Sequence, residues 1–317
     1  MKASLSTPPN QYDMTLHKIN QIPDSYRHFT IPHHDVKSLY GIDDAALNEL
    51  KQRGLKHRNN HYDRYDLGNI ALYHSFFSIQ KMAMRSWSGT LKRSENQETL
   101  KAHIQYVVEE KTLKPGDTIS LLLPNKGKTS LPFQGNSNLI SLDYIQKPIS
   151  YKFTDIYQSL LLEIDTYNFF MLPEEVRWNP DFIEEHKICE CGGASKKLLQ
   201  MARALNIKTR HQFGILLAKP YSTCHYWVEF KIEGQWLAAD PLLLKILKRI
   251  TGLKPDIWTY NTSPNALFIP LLEIDRYNPS TGAPILKQFQ ENEMVVNPIT
   301  IHAGKELSST LCTDFIG

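Results

Sequence analysis

Four cysteines in 317 residues are too few for a disulfide framework, so a reducing compartment is the expectation. The opening residues MKASLSTPPNQYDM carry one lysine and no apolar stretch after it. No secretory signal is read there, which points to a cytoplasmic protein, with export by a signal-less route as the alternative. No apolar run approaches the ~18–20 residues of a membrane span, so no transmembrane segment is expected. Neither sign of charge dominates. The 36 Lys and Arg against 33 Asp and Glu leave a net charge of +3, too little to argue for a nucleic-acid partner. Internal repeats and low-complexity blocks are also missing. What remains is an ordinary globular composition, 41% hydrophobic and 22% charged, sufficient for one large domain or two small ones.

Along the chain, residues 1–35 are rich in Pro, Asn, Ser and His and read as an extended arm. Asp43-Asp44 before AALNELKQRGL is the signature of a capped short helix that Gly54 stops. KHRNNHYDRYDLGN reads as a loop, Ile70 to Met84 as a buried helix, and residues 95–111 as a helix with Leu100, Ile104, Val107 and Val108 on one face. Turn signals at Pro115-Gly116, Asn125-Lys126-Gly127 and Gly135-Asn136 then separate two or three expected strands. Residues 154–170 return to helical spacing through Ile156, Leu160, Ile164 and Tyr167, and 171–188, with two prolines, read as a linking loop. The resulting division is an N-terminal arm and mainly helical region at 1–110, followed by a catalytic region at 111–317.

The chemistry concentrates in residues 189–241. Ala194, Leu198, Met201, Ala202 and Leu205 mark the buried face of a helix that starts just after Cys191. A cysteine at a helix N-terminus meets unpaired N–H groups and the positive end of the helix dipole, which favour a thiolate. The same N–H groups suit an oxyanion. Gly192 and Gly193 would let a substrate approach the backbone. Phe213 to Ala218 reads as an apolar strand. HYWVEFKI alternates, with His225, Trp227, Glu229 and Lys231 on one face. Glu233-Gly234 is a tight turn, and QWLAAD returns antiparallel, which sets His225 beside Asp240. A thiol, an imidazole and a carboxylate in this order form the general pattern of an activated thiol nucleophile. LLLKILKRITGL then reads as a basic amphipathic surface helix, with a membrane-surface role as the alternative, and the proline-spaced tail from Pro255 as strands and loops.

This stretch resembles the transglutaminase-like superfamily of papain-type cysteine enzymes. The shared submotifs run from Cys191 through Arg203-Ala204-Leu205-Asn206-Ile207-Lys208-Thr209-Arg210 and His225-Tyr226-Trp227-Val228-Glu229 to Gly234-Gln235-Trp236 and Asp240-Pro241. Asn206 stands where the family usually has Gly, a mild departure because Asn tolerates the left-handed conformation of a helix end. The resemblance implies an α+β fold in which the nucleophile helix packs on an antiparallel sheet, with an N-terminal helical extension and a C-terminal wrap. It implies Cys191 as nucleophile, His225 as base and then acid, and Asp240 as its orienter, with Arg203 and Arg210 structural. It further implies acyl transfer or hydrolysis at an amide or thioester through an acyl-enzyme, as in a protease, deamidase or amide-forming enzyme. The substrate would be a protein, a peptide or a carrier-bound acyl group, and no cofactor is needed. An upstream side chain would help the oxyanion. Gln158, Tyr167 and Trp178 are the candidates.

Two other readings compete. Cys189, Cys191, Cys224 and His225 supply the residue types of a Cys₃His zinc site, although C-x-C and C-H are not the usual knuckle spacing. The pattern could also persist in a catalytically inactive interaction module. Cys189 is the rival nucleophile, and helix register together with the distance to Arg203 favours Cys191. His33, His34, His57, His61 and His74 lack ligand spacing and are expected to be solvated or structural. Lys126 and Lys128 fit a polar surface.

Overall fold

The computed structural model describes residues 11–96, 100–108, 118–123, 127–132, 139–146, 148–218, 223–273 and 294–302. The chain forms two compact units, Met1–Met82 with Tyr167–Gly193, and Ala83–Thr166 with Ala194–Gly317. The expected boundary at residue 110 falls inside the second unit.

The first unit is more ordered than the sequence suggests. Within the expected arm lie a helix, Asp13–Ile19, and a strand, Phe29–Pro32, followed by the helices His33–Tyr40 and Asp44–Gln52. Residues 1–10 of that arm lie outside the described residues. The Asp44–Gln52 helix is capped as expected, the Asp43 side chain accepting from the Ala46 N–H. The expected loop at 56–69 is instead a hairpin, His57–Arg58 with His61–Asp63, leading into a helix, Arg64–Tyr73. Asn59 and Asn60 take φ of 47° and 60°, the conformation a two-residue hairpin turn demands. Asp63 then caps the helix through the Tyr65 and Asp66 N–H groups. The apolar residues that hold these pieces, among them Leu16, Val36, Leu50, Tyr62 and Ile70, share one core. Before Ile70 most of them occur singly between polar neighbours, so they leave little periodicity to read.

Three further expectations are corrected. The single helix at Ile70–Met84 is two, Arg64–Tyr73 and Ile79–Glu95, because the chain turns extended at His74. Residues 171–188 hold two short helices, Glu174–Arg177 and Pro180–His186, rather than a bare loop. The helix at 95–111 is a strand, Leu100–Val108, paired antiparallel on both sides, with Leu139–Gln146 and Met294–His302. Its Ile104, Tyr106, Val107 and Val108 are β-formers, and two ladders settle the choice that local spacing left open. The expected strands after it include a hairpin, Thr118–Leu123 with Gly127–Pro132, whose turn at 124–126 lies outside the described residues, as do Pro115-Gly116 and Gly135-Asn136.

The second unit is built on a four-stranded antiparallel sheet. Its order is Gln235–Ala239, Cys224–Ile232, Thr209–Leu216 and Phe268–Glu273. Glu233 and Gly234, with φ of 48° and 84°, make the expected tight turn. The helix Cys191–Ala204 is fastened to the sheet by a buried hydrogen bond, Ser195 Oγ to His211 Nε2 at 2.9 Å. Ala194, Leu198 and Ala202 are buried as expected, but Leu205 is 49% exposed because the helix has already ended. Asn206 is left-handed, with φ of 55°, and the Ile207 N–H reaches back to the Ala202 carbonyl at 3.0 Å. That bond closes the helix in the manner usually given to glycine. The helix of residues 154–170 stops earlier than expected, as Asp155–Asp165, and packs on the helix Pro241–Thr251. The latter buries Leu243, Leu244, Ile246 and Leu247, so it is a core helix with a narrow polar edge rather than a solvated surface one. Lys245 Nζ donates to the Asp165 carbonyl at 2.5 Å. The whole is α+β, as the sequence implied.

Gly214 occupies a point of close approach. A Cβ there would lie 2.0 Å from the Ile269 carbonyl oxygen and 2.5 Å from Trp227 Cη2. Neither a paired backbone nor a buried indole yields cheaply. Gly214→Ala should cost about 3 kcal/mol or more of unfolding free energy in urea titration. An unchanged midpoint would mean that the sheet tolerates a wider spacing.

Candidate active site

His225 lies one residue into the strand Cys224–Ile232, opposite Gly214 of the neighbouring strand. Asp240 directly follows the strand Gln235–Ala239 and caps the helix Pro241–Thr251. The hairpin brings the two together as expected, His225 Nε2 meeting Asp240 Oδ2 at 2.5 Å. The other carboxylate oxygen, Oδ1, accepts the Leu243 N–H at 2.9 Å. Both residues are buried, at 7% and 6% exposure. The imidazole is stacked on Phe268, with ring centroids 5.5 Å apart, and Phe268 stacks in turn on Trp227 at 4.6 Å. The ring is therefore held by a carboxylate at one edge and an aromatic on one face. A carboxylate can only accept, so Nε2 carries the proton in the neutral ring. Nδ1, on the side of the ring away from Asp240, is then the basic nitrogen.

Glu229 is a role the sequence reading did not assign, although its alternation with His225 and Trp227 placed it on their face. Its carboxylate accepts from Arg210 Nε at 2.5 Å, Gln212 Nε2 at 3.1 Å and Trp227 Nε1 at 3.1 Å. The Arg210 guanidinium also lies 4.4 Å from the centroid of the Trp236 ring. Arg210, Trp227 and Glu229 thus form one buried polar cluster, edged by the half-buried Trp236, that fixes the strand carrying His225. Arg203 sits at the exposed end of the Cys191–Ala204 helix.

Cys191 belongs to the first unit, and its half-buried side chain opens the helix Cys191–Ala204. The two glycines after it serve packing rather than substrate approach. A Cβ at Gly192 would lie 2.2 Å from Trp178 Cη2, and one at Gly193 would lie 2.6 Å from Ile183 Cδ1. Arg177 and Glu190 escaped the sequence reading. Burial opposes the charge of Arg177, yet Glu190, Glu174 and the Cys191 thiolate hold its pKa above the ordinary arginine value. Glu190 accepts the Leu172 N–H at 2.6 Å, and burial raises its pKa. Only proximity to Cys191 marked Glu190 in the sequence.

The remaining candidates separate. Cys189 is buried at the end of a two-residue strand, and Cys224 is partly exposed at the start of the His225 strand. Gln158 Nε2 donates to Tyr260 Oη at 2.9 Å on an exposed surface. Tyr167 Oη donates to Glu184 at 2.7 Å, and burial pushes its pKa up to about 12. Trp178, whose ring lies against Gly192, touches the first turn of the Cys191 helix, but its indole N–H donates to Glu174 Oε1 at 3.2 Å. Among the described residues, no three His, Cys, Asp or Glu side chains cluster as metal ligands. His33, His61 and His74 bond to Asp44, the Asn59 carbonyl and Thr15. Among the described residues no helix is long and apolar enough to cross a membrane.

Residues 146–241 match the family model of the transglutaminase-like superfamily. The match supports cysteine-based catalysis in general. Among solved structures, one presented as a candidate cysteine protease from Cytophaga hutchinsonii is similar, at 11% identity. It covers 67% of this chain and 90% of its own, with a TM-score of 0.31. No curated protein matches the chain.

Removing the Glu229 carboxylate strands a buried guanidinium. Glu229→Ala should lower stability by about 3–5 kcal/mol in urea titration, the usual cost of breaking one side of a buried pair. A loss under about 1 kcal/mol, the size of an exposed pair, would remove Glu229 from its place as the anchor of this strand.

Proposed function

We propose, on the premise of the transglutaminase-like core at residues 146–241, that this chain is a cysteine-dependent acyl-transfer enzyme with Cys191, His225 and Asp240 as its catalytic residues. The observation that carries this reading is the buried His225–Asp240 pair, hydrogen-bonded at 2.5 Å and stacked on Phe268. A solvated histidine needs no such fixing. A base that must keep one tautomer through a reaction cycle does.

In this reading His225 Nδ1 takes the proton of Cys191 Sγ. The thiolate attacks the carbonyl carbon of an amide or thioester, and the carbonyl electron pair moves to oxygen. The N–H groups at the start of the Cys191 helix suit that oxyanion. Collapse expels the amine, which takes the proton from His225, or a thiol, and leaves a thioester on Cys191. His225 then deprotonates the acceptor, which attacks the thioester and returns Cys191. Asp240 stabilises the imidazolium that each half-reaction creates. Water as acceptor gives a protease, amidase or deamidase, and an amine gives an amide-forming enzyme. The donors that fit are proteins, peptides and carrier-bound acyl groups. No step requires a cofactor.

Intact mass after brief exposure to a dilute thiol-reactive amide tests the assignment. Cys191 should label first, and His225→Ala should remove that preference. Labelling at Cys191 no faster than at the other thiols would sink it. Cys191→Ala should abolish turnover of any donor that leaves a mass adduct, whereas Cys189→Ala should keep most of it. Asp240→Asn should lower kcat by about 10²–10⁴ without changing the melting temperature, since its amide oxygen still caps the helix. Asp240→Ala should add a loss of about 0.5–2 kcal/mol in stability.

A further inference from the structure

Acyl transfer leaves the beginning of the first unit without a role. Its elements run helix Asp13–Ile19, strand Phe29–Pro32, helix His33–Tyr40, helix Asp44–Gln52, then the hairpin strands His57–Arg58 and His61–Asp63. The three strands form one antiparallel sheet with His61–Asp63 in the middle. Gly41, Ile42 and Asp43 join the two middle helices. Gly41 is left-handed at φ 69°, and a Cβ there would lie 2.9 Å from the Phe77 nitrogen. Ile42 is buried and Asp43 caps the second helix. Two helices joined by a three-residue, glycine-containing turn make a helix-turn-helix, and the hairpin that follows is its wing.

The fold alone assigns no partner, but the surface narrows it. The second helix buries Leu47 and Leu50 and exposes Asp44, Ala45, Asn48 and Gln52. Of its acids, Glu49 is paired with Arg53 at 3.0 Å, whereas Asp44, at the N-terminal end, is exposed and among the described residues meets only the His33 imidazole at 3.1 Å. The hairpin beyond it exposes Lys56, His57, Arg58, Asn59, Asn60 and His61, and Arg64 follows. Lys56 lies 3.7 Å from Asp24. The sole acid between residues 54 and 64 is Asp63, which is buried with its carboxylate bonded to the N–H groups of His28, Tyr65 and Asp66. Every exposed charge on the wing is thus cationic. The Arg58 guanidinium lies over the Phe29 ring, 5.0 Å from its centroid.

We propose that residues 13–63 form a winged helix-turn-helix that binds double-stranded DNA. The helix Asp44–Gln52 enters the major groove and presents the amides of Asn48 and Gln52 to base edges, where adenine is their natural partner. Arg58, with Lys56, His61 and Arg64, holds the phosphate backbone. The small net charge of the chain concealed this site, because an average over 317 residues says nothing of one hairpin. The inference stands apart from the acyl-transfer reading and shares no residue with it.

Fluorescence anisotropy of the full chain with a labelled mixed-sequence duplex of about 20 bp tests it, since that spans nearly two helical turns. Binding should be in the micromolar range at about 50 mM NaCl and should weaken steeply toward about 200 mM. Arg58→Glu should weaken it about tenfold or more and flatten the slope of log affinity against log salt by about 1 or more. Arg249→Glu, the same charge change on the second unit, should leave binding as it is. Asn48→Ala should keep mixed-sequence binding and erase an adenine preference obtained by selection from a random duplex library. Far-UV circular dichroism of each variant separates lost binding from lost fold. No anisotropy change at about 100 µM protein, the weak limit of non-specific binding, would overturn the proposal. Tighter binding to the corresponding single strand, or equal losses for Arg58→Glu and Arg249→Glu, would do the same.

Discussion

The carboxylate of Asp240 is the point on which the candidate site depends. One oxygen accepts the proton of His225 Nε2 and the other accepts the Leu243 N–H. Each bond fixes the geometry of the other. The helix cap orients the carboxyl plane, and the imidazole then has a single place to dock. A buried carboxylate with only one of these partners would bear an unmet desolvation cost, so the two bonds together explain how a charge sits at this depth. The Asp-Pro step adds to the effect, because proline at the first helical position needs no partner for its nitrogen.

Around that point the sheet supplies rigidity at several ranges. Phe268 comes from the far edge strand and reaches both His225 and Trp227. It can do so because Gly214, on the strand between, carries no side chain to hold the layers apart. Glu229 gathers Arg210, Gln212 and Trp227 two residues further along the same face. These contacts cross three strands, so a change far from the reacting atoms can still loosen the imidazole.

What the sequence disclosed follows from how local each determinant is. The Glu233-Gly234 turn, the alternation through His225 and the cap at Asp43 are encoded within a few residues, and all three were legible. Asn206 was legible as a helix end for the same reason. The strand Leu100–Val108 was not, because its identity rests on partners that begin some thirty and two hundred residues downstream. The ordered first unit was hidden because its core draws single apolar residues from many short elements. Arg177 was hidden because its relation to Cys191 is electrostatic, which no spacing reveals.

The first unit is assembled from two stretches of chain, Met1–Met82 and Tyr167–Gly193, with much of the second unit between them. Closing so long an interruption adds little entropy cost, because that cost grows only with the logarithm of length. Its effect is on timing. As the ribosome extends the chain from the N-terminus, Leu16, Ile19 and Ile70 emerge long before Phe170, Leu172 and Ile188, which complete their core. The nascent first unit therefore spends its early life with an incomplete apolar face. It becomes whole only when the segment that carries Cys191 has been made, so completion of this core and arrival of that thiol are one event in the history of the chain.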